Sequence, residues 1–271
     1  MKKRDWIYLF FVLIPCVCFL VSLEFFIRER SSVSVLDRET CFSEGFREQK
    51  ISPELHRELK EQETDKISWT EFLAVSMLEG GCNPEKISGG RERYLKYKNE
   101  DFLFLEECYR AIWGDIKYFP VASEDIFFEN TWLKPVEYEV AEHHEGTDLA
   151  GSVRSSGYYP VISMTDGTVE RADWHSGYGY SIVVHAPEGG DFFYAHLDSF
   201  DREYVTGEEV RAGDILGYMG NTGFGPAKTK GRIPVHLHVG IYISGPDGEN
   251  ISVNPYWILK IFAKKTRKYT Y

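Results

Sequence analysis

Eighteen of the 24 glycines in this 271-residue chain fall between Gly146 and Gly248. Glycine at that density supplies the positive φ that tight hairpins require. The text around it alternates short runs rich in Val, Ile, Tyr and Phe with turn signals: VISM before TDGT, YSIVVHA before PEGG, DFFYAHL, and HVGIYI before SGPDGE. After Pro120 no helical period remains. The pattern predicts a mainly β domain over 115–271, an antiparallel sandwich or a sheet folded into an open barrel. About 140 residues suffice for such a domain to bury its own core.

The rest of the chain is a different object. Trp6 to Leu23 carry no charged side chain. Eighteen helical residues at about 1.5 Å each reach roughly 27 Å, close to the thickness of a bilayer core. Lys2, Lys3 and Arg4 precede the run, which predicts a single-pass anchor over 1–30 with a cytoplasmic N-terminus and everything else outside the cell. A cleaved signal peptide would need a shorter run and small residues at its end, whereas this one continues through Phe25, Phe26 and Ile27. Residues 31–66 read as a polar, solvated stalk, and 67–114 as a small helical spacer. In the spacer Ser68 and Glu71 form a capping-box pattern, and Phe72, Leu73, Val75 and Leu78 give an apolar stripe that Gly80–Gly81 stops. A second helix is expected from Asp101 to Trp113.

Composition excludes some functions. The formal net charge of -11 argues against a nucleic-acid partner, whose phosphates demand Lys/Arg patches. The same charge gives no attraction to an anionic surface, so attachment to a membrane has to come from the apolar helix. No cysteine lies after Cys108, so the glycine-rich half has neither a thiol nucleophile nor a thiolate metal ligand. Cys82 and Cys108, both in the helical part, are a candidate disulfide outside the cell.

Seven of the eight histidines lie between His143 and His238. His236 and His238 of the run IPVHLHVGIYI are two apart, so a strand projects both from one face. Two imidazoles on one face of an apolar strand are costly unless a metal or a partner satisfies them. His144 and Asp148 in HEGTD are spaced like a helical zinc motif, but Gly146 and Thr147 oppose a helix, so an extended segment has to bring them together. Two imidazole nitrogens and one carboxylate suit Zn²⁺ with an open fourth position, the arrangement of a hydrolytic site. His196 lies in YAHL, where alternation predicts Phe192, Tyr194 and His196 on one side. His143 competes with His144 as a ligand, and His175 and His185 read as ordinary strand or loop residues. Tyr178, Tyr180 and Tyr194 are candidates to line a substrate groove, with sheet packing the competing reading.

HEGTD, YAHL and HLH, in that order and with VRAGDILGYMGNTG between the last two, resemble the lysostaphin-type, LytM-like zinc endopeptidases of bacterial cell walls. The resemblance spans roughly Tyr118 to Leu259, and the flanking text is similar to that of membrane-anchored members from Gram-positive, spore-forming bacteria. It implies His144, Asp148 and His238 as zinc ligands, His196 and His236 as catalytic imidazoles, and peptidoglycan peptides as substrate. His236 is assigned as the base and His196 as the stabiliser of the developing charge, an order the sequence alone leaves open. Tyr194 is the expected substrate contact. Val239–Gly240 depart from the larger or acidic residues of many relatives, which bears on substrate fit more than on metal. A non-catalytic scaffold or binding protein with the same fold at the envelope is the alternative, as is a zinc peptidase acting on a secreted protein. The cleaved bond and any regulatory membrane partner are not legible.

Overall fold

The structure, a computed structural model, describes residues 3–65, 67–80, 84–135 and 143–267. The chain opens with α1 (Lys3–Ser32). Its stretch Phe10–Ser32 is long and apolar enough to cross a membrane, and none of that stretch is buried in the protein. A 3-10 turn (Arg38–Phe42) and the helices α2 (Glu44–Arg47), α3 (Pro53–Glu61), α4 (Trp69–Glu79), α5 (Pro84–Tyr97) and α6 (Asn99–Trp113) follow.

The expected capping box is present at α4. The Ser68 hydroxyl accepts from the Glu71 amide at 3.4 Å, and the Glu71 carboxylate accepts from the Ser68 amide at 2.8 Å. Gly80 ends the helix at φ 70°, a left-handed conformation that glycine adopts without steric cost. Helix α5, which contains Gly89 and Gly90, was not expected. Gly90 is what lets it close on α4, since a Cβ there would stand 2.9 Å from Val75 Cγ1.

The solvated stalk expected over 31–66 does not hold for its described residues, 31–65. Val33, Leu36, Cys41, Phe46, Ile51 and Leu59 are buried in the same core as the sheet. Trp113 Nε1 donates to Gln49 Oε1 at 2.7 Å, and the Asn254 amide donates to the Arg47 carbonyl at 2.8 Å. Polar residues dominate this stretch by count, but the few apolar ones find partners far away in the sequence. That is why local patterning missed them.

Among the described residues the remainder forms a ten-stranded antiparallel sheet: β1 (Ile126–Phe128), β2 (Thr147–Gly151), β3 (Pro160–Ile162), β4 (Gly167–His175), β5 (Gly179–His185), β6 (Asp191–Phe200), β7 (Glu209–Val210), β8 (Ile215–Met219), β9 (Leu237–Ser244) and β10 (Asn250–Val253). A short helix α7 (Tyr256–Phe262), also unexpected, closes it. The order is β1-β2-β9-β6-β5-β4-β7, with β10 beside β9 and with β8 between β6 and β3, and the sheet stays open. Along β9 the pleat sends Leu237, Val239, Ile241 and Ile243 into the core. That core also holds Phe102, Leu105 and Ile112 of α6, which packs against β9. His238, Gly240 and Tyr242 alternate with them onto the opposite face.

Candidate metal centre and active site

The site forms where β2, β9 and β6 lie side by side. Asp148 pairs in register with His238, and His238 with Ala195. His144 precedes β2 and folds back over it. The extended HEGTD segment thus does what a helix would have done by spacing. His144 Nε2 stands 3.0 Å from Asp148 Oδ1 and 3.0 Å from His238 Nδ1, and His238 Nδ1 stands 3.2 Å from Asp148 Oδ1. His144 and His238 are buried, at 2% and 1% exposed.

Three donor atoms that close on one point need a shared proton or a cation between them. Four tetrahedral ligands at about 2.0–2.1 Å from a zinc ion stand roughly 3.3 Å apart, so the present spacing fits such an ion with a few tenths of an ångström of opening. His144 is prepared for the role. Its Nδ1 faces the Thr131 hydroxyl at 3.0 Å and the Thr131 carbonyl at 3.3 Å. A carbonyl can only accept, so Nδ1 carries the proton and Nε2 keeps its lone pair for the ligand point. Burial alone would raise the Asp148 carboxyl. The close contacts with His144 and His238 and the charge of the neighbouring imidazoles outweigh burial and hold it well below the ordinary carboxylate range.

Gly146 makes room for this packing, because a Cβ there would lie 2.5 Å from the His238 ring and 2.7 Å from the Val239 carbonyl. The residue that argued against a helix in HEGTD is therefore required by close approach.

His196 and His236 stand beside the triad, with ring centroids 4.5 Å apart. His236 Nδ1 lies 2.8 Å from the Pro234 carbonyl, and His196 Nδ1 lies 2.8 Å from the Thr222 carbonyl. By the same reasoning both rings carry their proton on Nδ1 and turn Nε2 toward the site. His236 Nε2 is 3.9 Å from Asp148 Oδ1. Burial, with the neighbouring imidazoles His236 and His238, pushes His196 down to about 3, so it is neutral at ordinary pH.

Simple alternation fails at His196. Its φ is 59°, in the left-handed region. That conformation costs a non-glycine residue roughly 1–2 kcal/mol. The departure falls where β6 leaves β9, its partner through Ala195, and takes up β8 from Leu197 onward. As a result Phe193, not Phe192 or Tyr194, shares the site face with His196. Phe193 contacts His238 at 6.0 Å between ring centroids, and Tyr178 contacts both, at 5.2 Å and 5.5 Å. Tyr194 is corrected accordingly. It is fully buried, its hydroxyl accepts from the Met164 amide at 2.9 Å, and burial raises its phenol. It is a core residue and cannot touch substrate.

Beyond Tyr178 and Phe193 the open face of the sheet holds a cavity of about 480 Å³, lined also by Val183, Asp191, Arg171 and Tyr242. Tyr178 was expected as a groove residue; Phe193, Thr131, Thr222 and Pro234 were not. Thr222 and Pro234 act on the imidazoles through backbone carbonyls, which leave no trace in side-chain chemistry, and Thr131 adds its hydroxyl to its carbonyl. His143 is exposed and stays outside the triad. His185 pairs with Asp191 at 2.6 Å and, with Glu170, forms the second cluster of metal-type donors among the described residues, at the surface rather than in a buried site.

On an open antiparallel sheet, two histidines and an aspartate meet at one point where they could hold a metal ion, flanked by two further imidazoles. The profile of peptidase family M23 matches residues 142–255, a span that contains all five of these residues. A solved structure from Ruminococcus gnavus ATCC 29149, labelled a glycyl-glycine endopeptidase lytM, superposes with a TM-score of 0.74 and 36% identity, over 89% of this chain and 98% of that one. The L-Ala–D-Glu endopeptidase of Bacillus subtilis is 32% identical over 172 residues, which are 61% of this chain and 52% of that protein. A DD-carboxypeptidase/endopeptidase of Neisseria meningitidis is 30% identical over 110 residues, 22% of its length. The chain thus spans about half or less of these two proteins. It belongs to peptidase family M23.

Proposed function

We propose that this chain is a membrane-tethered zinc endopeptidase whose catalytic domain lies outside the cell and hydrolyses peptide bonds in peptidoglycan stem peptides or cross-bridges. The observation that carries the reading is the closure of His144 Nε2, Asp148 Oδ1 and His238 Nδ1 to within 3.0–3.2 Å of one another beside two imidazoles that are not ligands. A binding module has no use for those two rings. Helix α1 supports the tether by length and composition, and Lys2, Lys3 and Arg4 support an outward-facing domain.

His144, Asp148 and His238 would hold the zinc ion. When bound, the ion lowers the pKa of a coordinated water toward neutrality and polarises the scissile carbonyl. His236, the more open of the two remaining rings, takes the proton of the attacking water on Nε2, and the Asp148 carboxylate 3.9 Å away favours the resulting positive charge. His196 is held neutral and oriented by Thr222. Its Nε2 receives the proton that His236 took, from a ring 4.5 Å away between centroids, steadies the developing negative charge, and passes that proton to the leaving amine nitrogen as the peptide C–N bond breaks, so it acts second. Tyr178 and Phe193 give the peptide an aromatic bed, and the cavity beyond them takes the chain on one side of the cleaved bond.

The test is peptidoglycan digestion by the detergent-solubilised full chain, with new amino termini identified by mass spectrometry. The relatives' names supply two arms, an L-Ala–D-Glu bond and a glycyl-glycine bond. Release of amines that chelation stops and zinc restores is expected. A zinc-loaded protein that frees no amine from any peptidoglycan sinks the hydrolase reading in favour of an envelope scaffold. Cleavage restricted to secreted proteins would move the substrate.

A further inference from the structure

The helical half holds a pair of side chains that the peptidase chemistry does not use. Cys41 lies in the 3-10 turn Arg38–Phe42 and Cys108 in α6. Both are in the core, at 1% and 3% exposed, and the turn packs directly on α6, so that the two thiols meet across that contact. The two elements belong to different parts of the chain: the turn follows α1 directly, whereas α6 packs against β9, the strand that carries His238. The expected partner of Cys108 was Cys82, which lies outside the described residues; the thiol found beside it is Cys41. Thiols in contact between two packed elements can join with little backbone movement.

We propose that Cys41 and Cys108 form a disulfide in the mature protein, locking the turn next to the membrane helix onto the helix that backs the catalytic sheet. The inference rests on the reading that this domain faces the outside of the cell, where disulfides persist. The oxidant is a disulfide, either oxidised glutathione or a disulfide oxidoreductase, that meets the thiols while the chain folds. One cysteine thiolate first attacks it, forming a mixed disulfide and releasing one thiol. The second cysteine, as thiolate, then attacks the protein sulfur of that mixed disulfide. The Cys41–Cys108 bond forms as the mixed bond breaks, and the oxidant leaves as its second thiol. Two electrons pass to the oxidant, and the protein loses two hydrogens.

The closed loop is long, so cross-linking should raise the melting temperature by roughly 10 °C. The full chain in detergent micelles is refolded in mixed oxidised and reduced glutathione, its free thiols are alkylated, and it is digested without reductant. Mass spectrometry should find the Cys41 and Cys108 peptides linked, with Cys16 and Cys18 alkylated. Dithiothreitol should abolish the linkage together with the gain in melting temperature. Cys41→Ala and Cys108→Ala should each abolish the difference between oxidised and reduced protein. Alkylated Cys41 and Cys108 in folded protein, or a Cys82–Cys108 linkage, would overturn the proposal. The in vitro readout is independent of peptide cleavage, so a chain that pairs but cuts nothing fails only the enzymatic reading. Alkylation of intact producing cells before lysis then separates location from pairing. Linked peptides in vitro with free thiols in cells would place the domain in a reducing compartment.

Discussion

His56 is half-buried among aromatic rings of the helical part and His238 is buried on the site face of the sheet, yet they have become different kinds of residue. In the helical half, His56 sits edge-on to Trp69 at 4.8 Å and near Trp113 and Phe262, at 6.3 and 6.2 Å between ring centroids. No carboxylate is among these neighbours, and its Nε2 is buried without a partner. Burial, helped by the charges of Lys60 and Lys265, pushes it down to about 4. In the β half, His238 meets Asp148 and His144 at hydrogen-bonding distance. Burial by itself makes an imidazole a neutral packing group. A carboxylate and a second imidazole converging on the same nitrogen place it in a donor set that suits a metal ion.

Asp148→Ala should break that contrast most completely. Removing the carboxylate turns the pair of histidines into another His56, so bound zinc should be lost and amine release from peptidoglycan should fall by roughly 10³-fold or more. Elemental analysis and an amine assay on the same preparation check it. His56→Phe, as the matching change in the other half, should leave zinc content intact; loss of metal there would dissolve the distinction.

A smaller effect is expected from Gly146→Ala, whose Cβ would meet the His238 ring at 2.5 Å. Overpacking of this kind costs typically 1–3 kcal/mol, and here it falls on a ligand, so metal affinity and melting temperature should drop together. An unchanged zinc dissociation constant would mean that the ring is free to move. Thr131→Val removes the hydroxyl facing His144 Nδ1 but keeps the carbonyl. Affinity for zinc should weaken by about 10-fold, the lower end for such supporting contacts, and competition with a chelator measures it.

The gentlest test is of pH. His56 has its folded pKa depressed from 6.5 to about 4. Above 6.5 it is neutral folded or unfolded, and its packing contribution is fully present. As the pH falls toward 4 the unfolded chain takes up the proton while the folded one does not, so stability is lost across that window. Denaturant melts of His56→Phe should be flatter between those values than melts of the parent, and identical slopes would remove His56 as the cause.

Much of the centre was legible because its signals are local. His236 and His238 share a face through the two-residue period of a strand, and Ser68 with Glu71 announced the start of α4, because the groups that cap a helix lie within one turn of one another. His144 with Asp148, His236 with His238, the antiparallel sheet and the apolar first helix came from patterns of that range, whereas His196 entered only through the resemblance carried by the ordered motifs.

What stayed hidden depends on contacts made only when the chain closes. The face on which His196 lies was set by a left-handed residue at the point where β6 changes partners, so counting by twos put Tyr194 at the site and left out Phe193. The polar stretch before α4 became part of the core because a few apolar side chains found the sheet. The thiol beside Cys108 belongs to Cys41, far away along the chain. By itself the sequence determined which donor groups this protein brings and how they space along a strand, since residue types and strand periodicity are properties of short segments. Only the tertiary structure decided which side chains meet, because pairing register, a single backbone torsion and burial are settled by partners distant in sequence.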